Sequence, residues 1–243
     1  MYRQVTLGEN AMTGESAVVV GVSGGVGGAV ASRLRESGRF EVVHGFSRTG
    51  AGAAGLDLED EDSIARAAAL VRAGPAPTLV FVATGVLHHG HAPERSWRSL
   101  EPDHLMRDYR INAIGPALVA RHFLPLLPKD RRAVFAALSA RVGSIGDNRL
   151  GGWHSYRASK AALNMILRNL AIELGRSHPL AVVAGLHPGT VDTALSAPFQ
   201  GGVAPDKLFT PDESADCLLR VIADLAPADS GGVFAWDGAR IVP

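Results

Sequence analysis

Ala17-Val18-Val19-Val20-Gly21-Val22-Ser23-Gly24-Gly25-Val26-Gly27-Gly28 is the stretch that decides the fold. Its first six residues are a short apolar run rich in valine. Such runs fit a parallel strand buried on both faces. Gly21, Gly25 and Gly27 then give G-x-x-x-G-x-G, and a helical pattern fills residues 28–37 until Gly38 closes it. Strand, glycine turn and helix, in that order, give the motif its physics. Glycine permits the tight turn and lets the backbone approach a pyrophosphate closely. The helix N-terminus adds unpaired N–H groups and a positive dipole end. Ser23 and Val26 complete the loop that would cradle the phosphates. The plain alternative is a flexible glycine-rich turn.

The same alternation continues outward. Strands are expected at residues 40–47, 54–58, 78–83, 133–138, 180–186 and 232–236, and helices at 60–73, 102–127, 153–175 and 211–225. The second of these helices invites a bend near Gly115-Pro116. The β-α alternation predicts an α/β fold: one Rossmann-like, doubly wound parallel sheet of about seven strands, with helices on both faces and right-handed crossovers. No change in composition marks a linker, so residues 16–243 read as one domain. Residues 1–15 read as a frayed polar extension, in which Met12 offers a second start. Residues 196–210 are rich in Gly and Pro with no clean period, and read as a substrate loop.

Composition excludes several classes. Hydrophobic residues make up 47% of the 243 and charged residues 20%, enough for a substantial core. Lys+Arg and Asp+Glu are 24 each, so no global field draws nucleic acid or anionic lipid. No apolar run reaches the roughly 18 residues of a membrane span. The first fifteen residues lack the apolar core of a secretion signal. The one cysteine, Cys217, rules out an internal disulfide and suits a reducing, cytoplasmic setting.

Two further features bear on chemistry. Tyr156 stands four residues before Lys160 in a helical segment, so both occupy one face. A phenol, with a reference pKa of about 10, is a poor acid-base group at neutral pH. A nearby ammonium favours the phenolate and lowers that value. A lysine and a cationic cofactor ring together could supply the roughly 4 kcal/mol that three units demand. Arg48 lies just beyond the second strand, where a dinucleotide's adenosine ribose would sit. An acid there would accept from a 2′-OH, whereas an arginine suits a 2′-phosphate, which favours NADP over NAD. Asp57, placed at the end of the third expected strand, could accept from an adenine amino group or merely cap a turn.

Taken together, these pieces resemble the short-chain dehydrogenase/reductase family over residues 17–236, most of all its C-factor and sniffer-type carbonyl reductases. The matching residues are the three glycines, Ala83-Thr84-Gly85 after the fourth strand, Asn112 in Ile111-Asn112-Ala113-Ile114-Gly115, Tyr156-x-x-x-Lys160, and Pro188-Gly189-Thr190-Val191-Asp192-Thr193. The resemblance implies a hydride transfer between nicotinamide and a carbonyl or secondary alcohol. Tyr156 would be the general acid or base. Lys160 would lower its pKa and bond the nicotinamide ribose, and Asn112 would hold a relay water. Pro188, Gly189, Thr190 and Thr193 would wrap the nicotinamide end. A homodimer or homotetramer through the two long helices is also implied.

The family's substrate-holding serine is where the sequence departs. Ala140 takes its usual slot. Ser139 is one residue early and Ser144 is a second candidate. On a strand, one residue of shift reverses the facing direction, which a bulge could restore; Ser139 is the preferred partner. Val20, Gly24 and the apolar Phe81-Val82 also depart from the pattern. The association of C-factor-like members with signalling, together with Ala140, keeps a second reading open: a dinucleotide-binding signalling or sensor protein with little turnover. His88, His89 and His91 lack the helical spacing or cysteine partners of a metal site, and no metal is expected. They read instead as lining a substrate entrance, along with residues 144–154 and 196–210.

Overall fold

The computed structural model describes residues 14–88, 90, 92–202, 204 and 207–243. The extension expected at 1–15 therefore lies outside the described residues as far as Thr13, and Glu15 already opens the first strand. The chain runs β1 (Glu15–Val20), α1 (Gly25–Glu36), β2 (Val42–Phe46), α2 (Glu61–Arg72), β3 (Ala76–Val82), α3 (Pro102–Tyr109), α4 (Gly115–Phe123), β4 (Ala133–Leu138), α5 (His154–Gly175), β5 (Ala181–His187), β6 (Thr190–Val191), β7 (Leu208–Phe209), α6 (Pro211–Asp224) and β8 (Val233–Ala235).

Six strands form one parallel sheet in the order β2-β1-β3-β4-β5-β8. β6 and β7 form a separate parallel pair. The doubly wound α/β architecture is as the sequence predicts, with six strands in place of about seven. The strand expected at 54–58 is the one that does not form. Gly52–Ala54 is a 3-10 turn instead, and a lone bridge from Ser47 to Gly55 is all that joins this segment to the sheet edge. Leu56 and Leu58 are buried there, and their period-two burial imitates a strand.

The apolar run of β1 does what a doubly covered strand must. Val18 and Val20 enter one core with residues of α2, α4 and α5. Ala17 and Val19 enter the other core, with residues of α1 and α6. Strand order reverses about β1, between β2 and β3. In open α/β sheets the crevice at the strand carboxyl ends of such a switch point takes the ligand.

The helix expected over 102–127 is broken. Arg110–Ile114 is a π-helical turn between α3 and α4, and Leu124–Leu126 is a 3-10 turn. The break therefore begins before Gly115-Pro116. A π turn admits one extra residue and is found often at functional sites; here it contains Asn112. Gly115 lets α4 approach the sheet edge: a Cβ at that position would stand 2.7 Å from Leu58 Cβ. Alanine normally favours a helix over glycine by about 1 kcal/mol. Gly115→Ala is expected to do the reverse, destabilising by about 1–3 kcal/mol through overpacking, as read from urea unfolding.

Candidate active site

The glycine loop follows β1 directly. Gly21 has φ +98°, in the left-handed region open to glycine. A Cβ on Gly27 would fall 2.3 Å from Gly21 O, so that position admits glycine alone. A Cβ on Gly25 would fall 2.8 Å from Thr193 Cγ2, which brings the Pro188–Thr193 turn up against the loop. No side chain caps the start of α1. Ser23 is exposed on the loop, while Val26 is buried in the α1–α6 core and can offer its backbone alone.

Beneath the loop lies the segment after β3. Ala83 N–H donates to Val20 O at 2.8 Å. Thr84 Cγ2 is 3.0 Å from where a Gly21 Cβ would be, and Thr84 Oγ1 is buried with no partner among the described residues. At the far side, Gly189 has φ +80° and packs on Phe209 and Trp236, and Pro188 O accepts from Ser214 Oγ at 3.0 Å. Thr190 lies in β6, and Thr193 Oγ1 donates to Val191 O at 3.4 Å. Arg48 is exposed beyond β2. Asp57 is a turn residue rather than a strand end: its Oδ1 accepts from Glu59 N–H at 3.0 Å. The uncapped helix start, the glycine cradle and the orphaned Thr84 hydroxyl fit a dinucleotide pyrophosphate.

Tyr156 and Lys160 lie one turn apart on α5, with Lys160 Nζ 5.8 Å from the phenol ring centroid. Lys160 is buried, and its ammonium donates to Leu138 O at 2.8 Å. Asn112 is fully buried. Its Oδ1 accepts from Val86 N–H at 2.9 Å, and its Nδ2 donates to Val86 O at 2.9 Å and Ser159 Oγ at 3.0 Å. The π turn is thus tied both to the segment after β3 and to α5. Ser139 Oγ donates to Asn164 Oδ1 at 2.6 Å. Ser144 Oγ donates to Pro243 O at 3.5 Å and accepts from Asp147 N–H. Ala140 is buried between them.

The electrostatics run against simple expectation. Burial first, then Asp108, pushes the Tyr156 phenol up rather than down. Burial brings Lys160 down to about 8, with Asp108 opposing. In the protein alone, lysine at this distance does not outweigh desolvation of the phenolate.

A wall of rings leads away from the tyrosine. Trp153 and Tyr156 centroids are 6.3 Å apart, Trp153 and Phe199 5.0 Å, and Phe199 and His88 5.7 Å. One residue from each of the three irregular segments expected to line the substrate pocket therefore meets there. His89 and His91 lie outside the described residues. Trp153 has φ +51°, the left-handed backbone that non-glycine residues seldom take, beside glycines 151 and 152 of the same sign.

A model of the short chain dehydrogenases matches residues 15–202. The chain belongs to the short-chain dehydrogenase family. It is 32% identical over 229 residues to the 1-hydroxy-2-glutathionyl-2-methyl-3-butene dehydrogenase of Rhodococcus sp. (strain AD45), covering 91% of this chain and 96% of that one. It is 36% identical over 137 residues to the C-signal protein of Myxococcus xanthus, covering 56% and 77% respectively. The structure of an NADPH-bound carbonyl reductase from chicken fatty liver superposes with a TM-score of 0.78 at 27% identity, over 96% of this chain and 100% of that chain. The resemblance to C-factor-like and carbonyl-reductase members is borne out, and the protein is an oxidoreductase of this family. Among the described residues, no helix is long and apolar enough to cross a membrane.

Sequence reasoning missed three polar side chains of this short-chain dehydrogenase. Asn164 continues the Tyr156–Lys160 face by another four residues, a signal that was available. Asp108 and Glu94 are both buried at the site. An acid on a helix or in an irregular loop ordinarily reads as solvated, and nothing local distinguishes these two. The glycine cradle yields a test. Gly27→Ala is expected to weaken NADPH binding by at least tenfold in a fluorescence titration, with the circular dichroism spectrum retained.

Proposed function

We propose that residues 16–243 form one oxidoreductase domain that prefers NADP(H) and moves hydride between the nicotinamide and a carbonyl or secondary alcohol. The observation that carries the reading is the juxtaposition of half-buried Tyr156 with buried Lys160 and Asn112 at the carboxyl end of the sheet, beside the glycine cradle. When bound, the dinucleotide supplies or accepts the hydride. The glycine loop from Gly21 to Gly27 would hold its pyrophosphate, and Arg48 a 2′-phosphate. Ala83, Thr84 and Gly85 would floor the site, and Pro188, Gly189, Thr190 and Thr193 would hold the carboxamide end.

Tyr156 gives its proton to the substrate oxygen in reduction and takes it back in oxidation. Lys160 supplies positive charge to the phenolate that proton transfer leaves behind. Asn112 keeps the π turn fixed against α5, which fixes the distance between these groups. The ring wall of Trp153, Phe199 and His88 gives the substrate an apolar entrance. Exposed Met106 and Ile114 near the π turn, and Met165 and Ile172 on α5, support a homo-oligomer through these helices.

A second reading, a dinucleotide-binding sensor with little turnover, is favoured by one observation. Ser139 is committed to Asn164 and Ser144 to the chain's last residue. Tyr156→Phe separates the two readings on a panel of aldehydes, ketones and quinones. The enzyme reading expects NADPH oxidation to fall at least a hundredfold while NADPH binding is retained. Absence of turnover in both native and variant protein, with tight NADPH binding, belongs to the sensor. Arg48→Glu is expected to weaken NADPH binding at least tenfold and leave NADH within a few-fold, by the same titration.

A further inference from the structure

Among the described residues, Trp153 alone combines a side chain with a positive φ, at +51°. For a bulky residue that backbone is an outlier. Such outliers persist only where their surroundings over-determine them, and they cluster at ligand clamps and active sites. Here the surroundings can be named. Gly151 and Gly152 precede the tryptophan with φ +63° and +66°, so three left-handed residues in a row carry the chain into α5. Trp153 N–H donates to Glu94 O. The Glu94 carboxylate accepts from Ser155 N–H at 3.2 Å and from the Ser155 hydroxyl. Buried Glu94, in the loop after β3, thus grips α5 on both sides of its first residue. From the first turn of α5, Arg157 donates to Gly152 O at 3.1 Å and to Val142 O at 3.3 Å.

Starting a helix does not require this. Trp153 gives α5 no side-chain cap, and glycine or asparagine takes the same backbone more readily. What the arrangement fixes is the place of a ring. The indole stands edge-to-face with Tyr156, centroids 6.3 Å apart and planes at 71°. It also meets Phe199 at 5.0 Å and 59°. Phe199 lies in the 3-10 segment Ala197–Gly202, and His88 Nε2 ties the start of that loop by donating to Ala194 O at 3.1 Å. Trp153, Tyr156 and Phe199 are all half-buried, so each keeps ring surface for what enters the site.

A carbonyl whose oxygen meets the Tyr156 hydroxyl must set its substituents against the neighbouring wall, and the indole is the ring beside that tyrosine. A saturated substituent gains only the burial of its area there. A flat conjugated one adds the edge-to-face and offset contacts that aromatic pairs prefer. We infer that Trp153 is a specificity-determining residue, whose left-handed backbone fixes the indole beside Tyr156 so that the site takes planar aryl carbonyls over saturated ones of equal size. The inference rests on Tyr156 being the group that meets the substrate oxygen.

The test is a binding measurement and needs no turnover. Benzamide and cyclohexanecarboxamide are unreactive carbonyl compounds of nearly equal size, one flat and one puckered. Each is titrated into NADPH-loaded protein, with binding read by NMR. The native protein is expected to hold benzamide about tenfold more tightly. In Trp153→Leu the two amides are expected to bind within about threefold of one another. Trp153→Phe keeps a flat ring and is expected to retain most of the preference. Trp153→Asn accepts the left-handed backbone and carries the leucine expectation should that variant not fold. A preference that is absent in the native protein, or unchanged once the indole is removed, overturns the inference. Full turnover in Tyr156→Phe would instead remove the reading on which it stands.

Discussion

The hydrogen bond from the Lys160 ammonium to the Leu138 carbonyl, at 2.8 Å, is the contact on which the site depends. Lys160 is 2% exposed, and an unpaired ammonium at that depth would cost several kcal/mol. The fold offsets this with the last carbonyl of β4 and the charge of Asp108. It also clears a path for the lysine. A Cβ on Gly143 would lie 2.8 Å from Lys160 Cβ, and one on Gly85 3.4 Å from Nζ. Strand, helix and loop are thereby locked to one another at the sheet's carboxyl end. Tyr156, one turn away, inherits that placement.

In the protein alone the charge around Tyr156 does not favour the phenolate. Lysine provides one positive charge, whereas Asp108 and burial work against the phenolate. On the proposed reading, an oxidised nicotinamide ring would bring the missing positive charge and so ease formation of the phenolate.

Much of this was legible in the sequence. The β4 bounds were read correctly, because its apolar run is continuous and ends at polar residues on both sides. The glycine spacing located the cradle because Gly21 and Gly27 obey steric constraints that no other residue meets. Residues 54–58 misled because the buried Leu56 and Leu58 imitate a strand while glycines 50, 52 and 55 fold the backbone into a turn. A break was readable from Gly115-Pro116, since Pro116 has no N–H for the Asn112 carbonyl, but the pairing of Asn112 with Val86 and Ser159 joins residues that no local pattern connects. The same holds for Asp108 and Glu94. Their burial follows from the packing of α3 and a loop on α5, and a single sequence carries no mark of that.

The most direct test of the account is a crystal structure of the protein with NADP+. The account expects Lys160 Nζ within about 3 Å of a nicotinamide ribose hydroxyl, the pyrophosphate over Gly25 and Val26, and the Tyr156 hydroxyl facing the open side of the nicotinamide ring. A dinucleotide bound with its ribose away from Lys160, or with its nicotinamide turned from Tyr156, would contradict it.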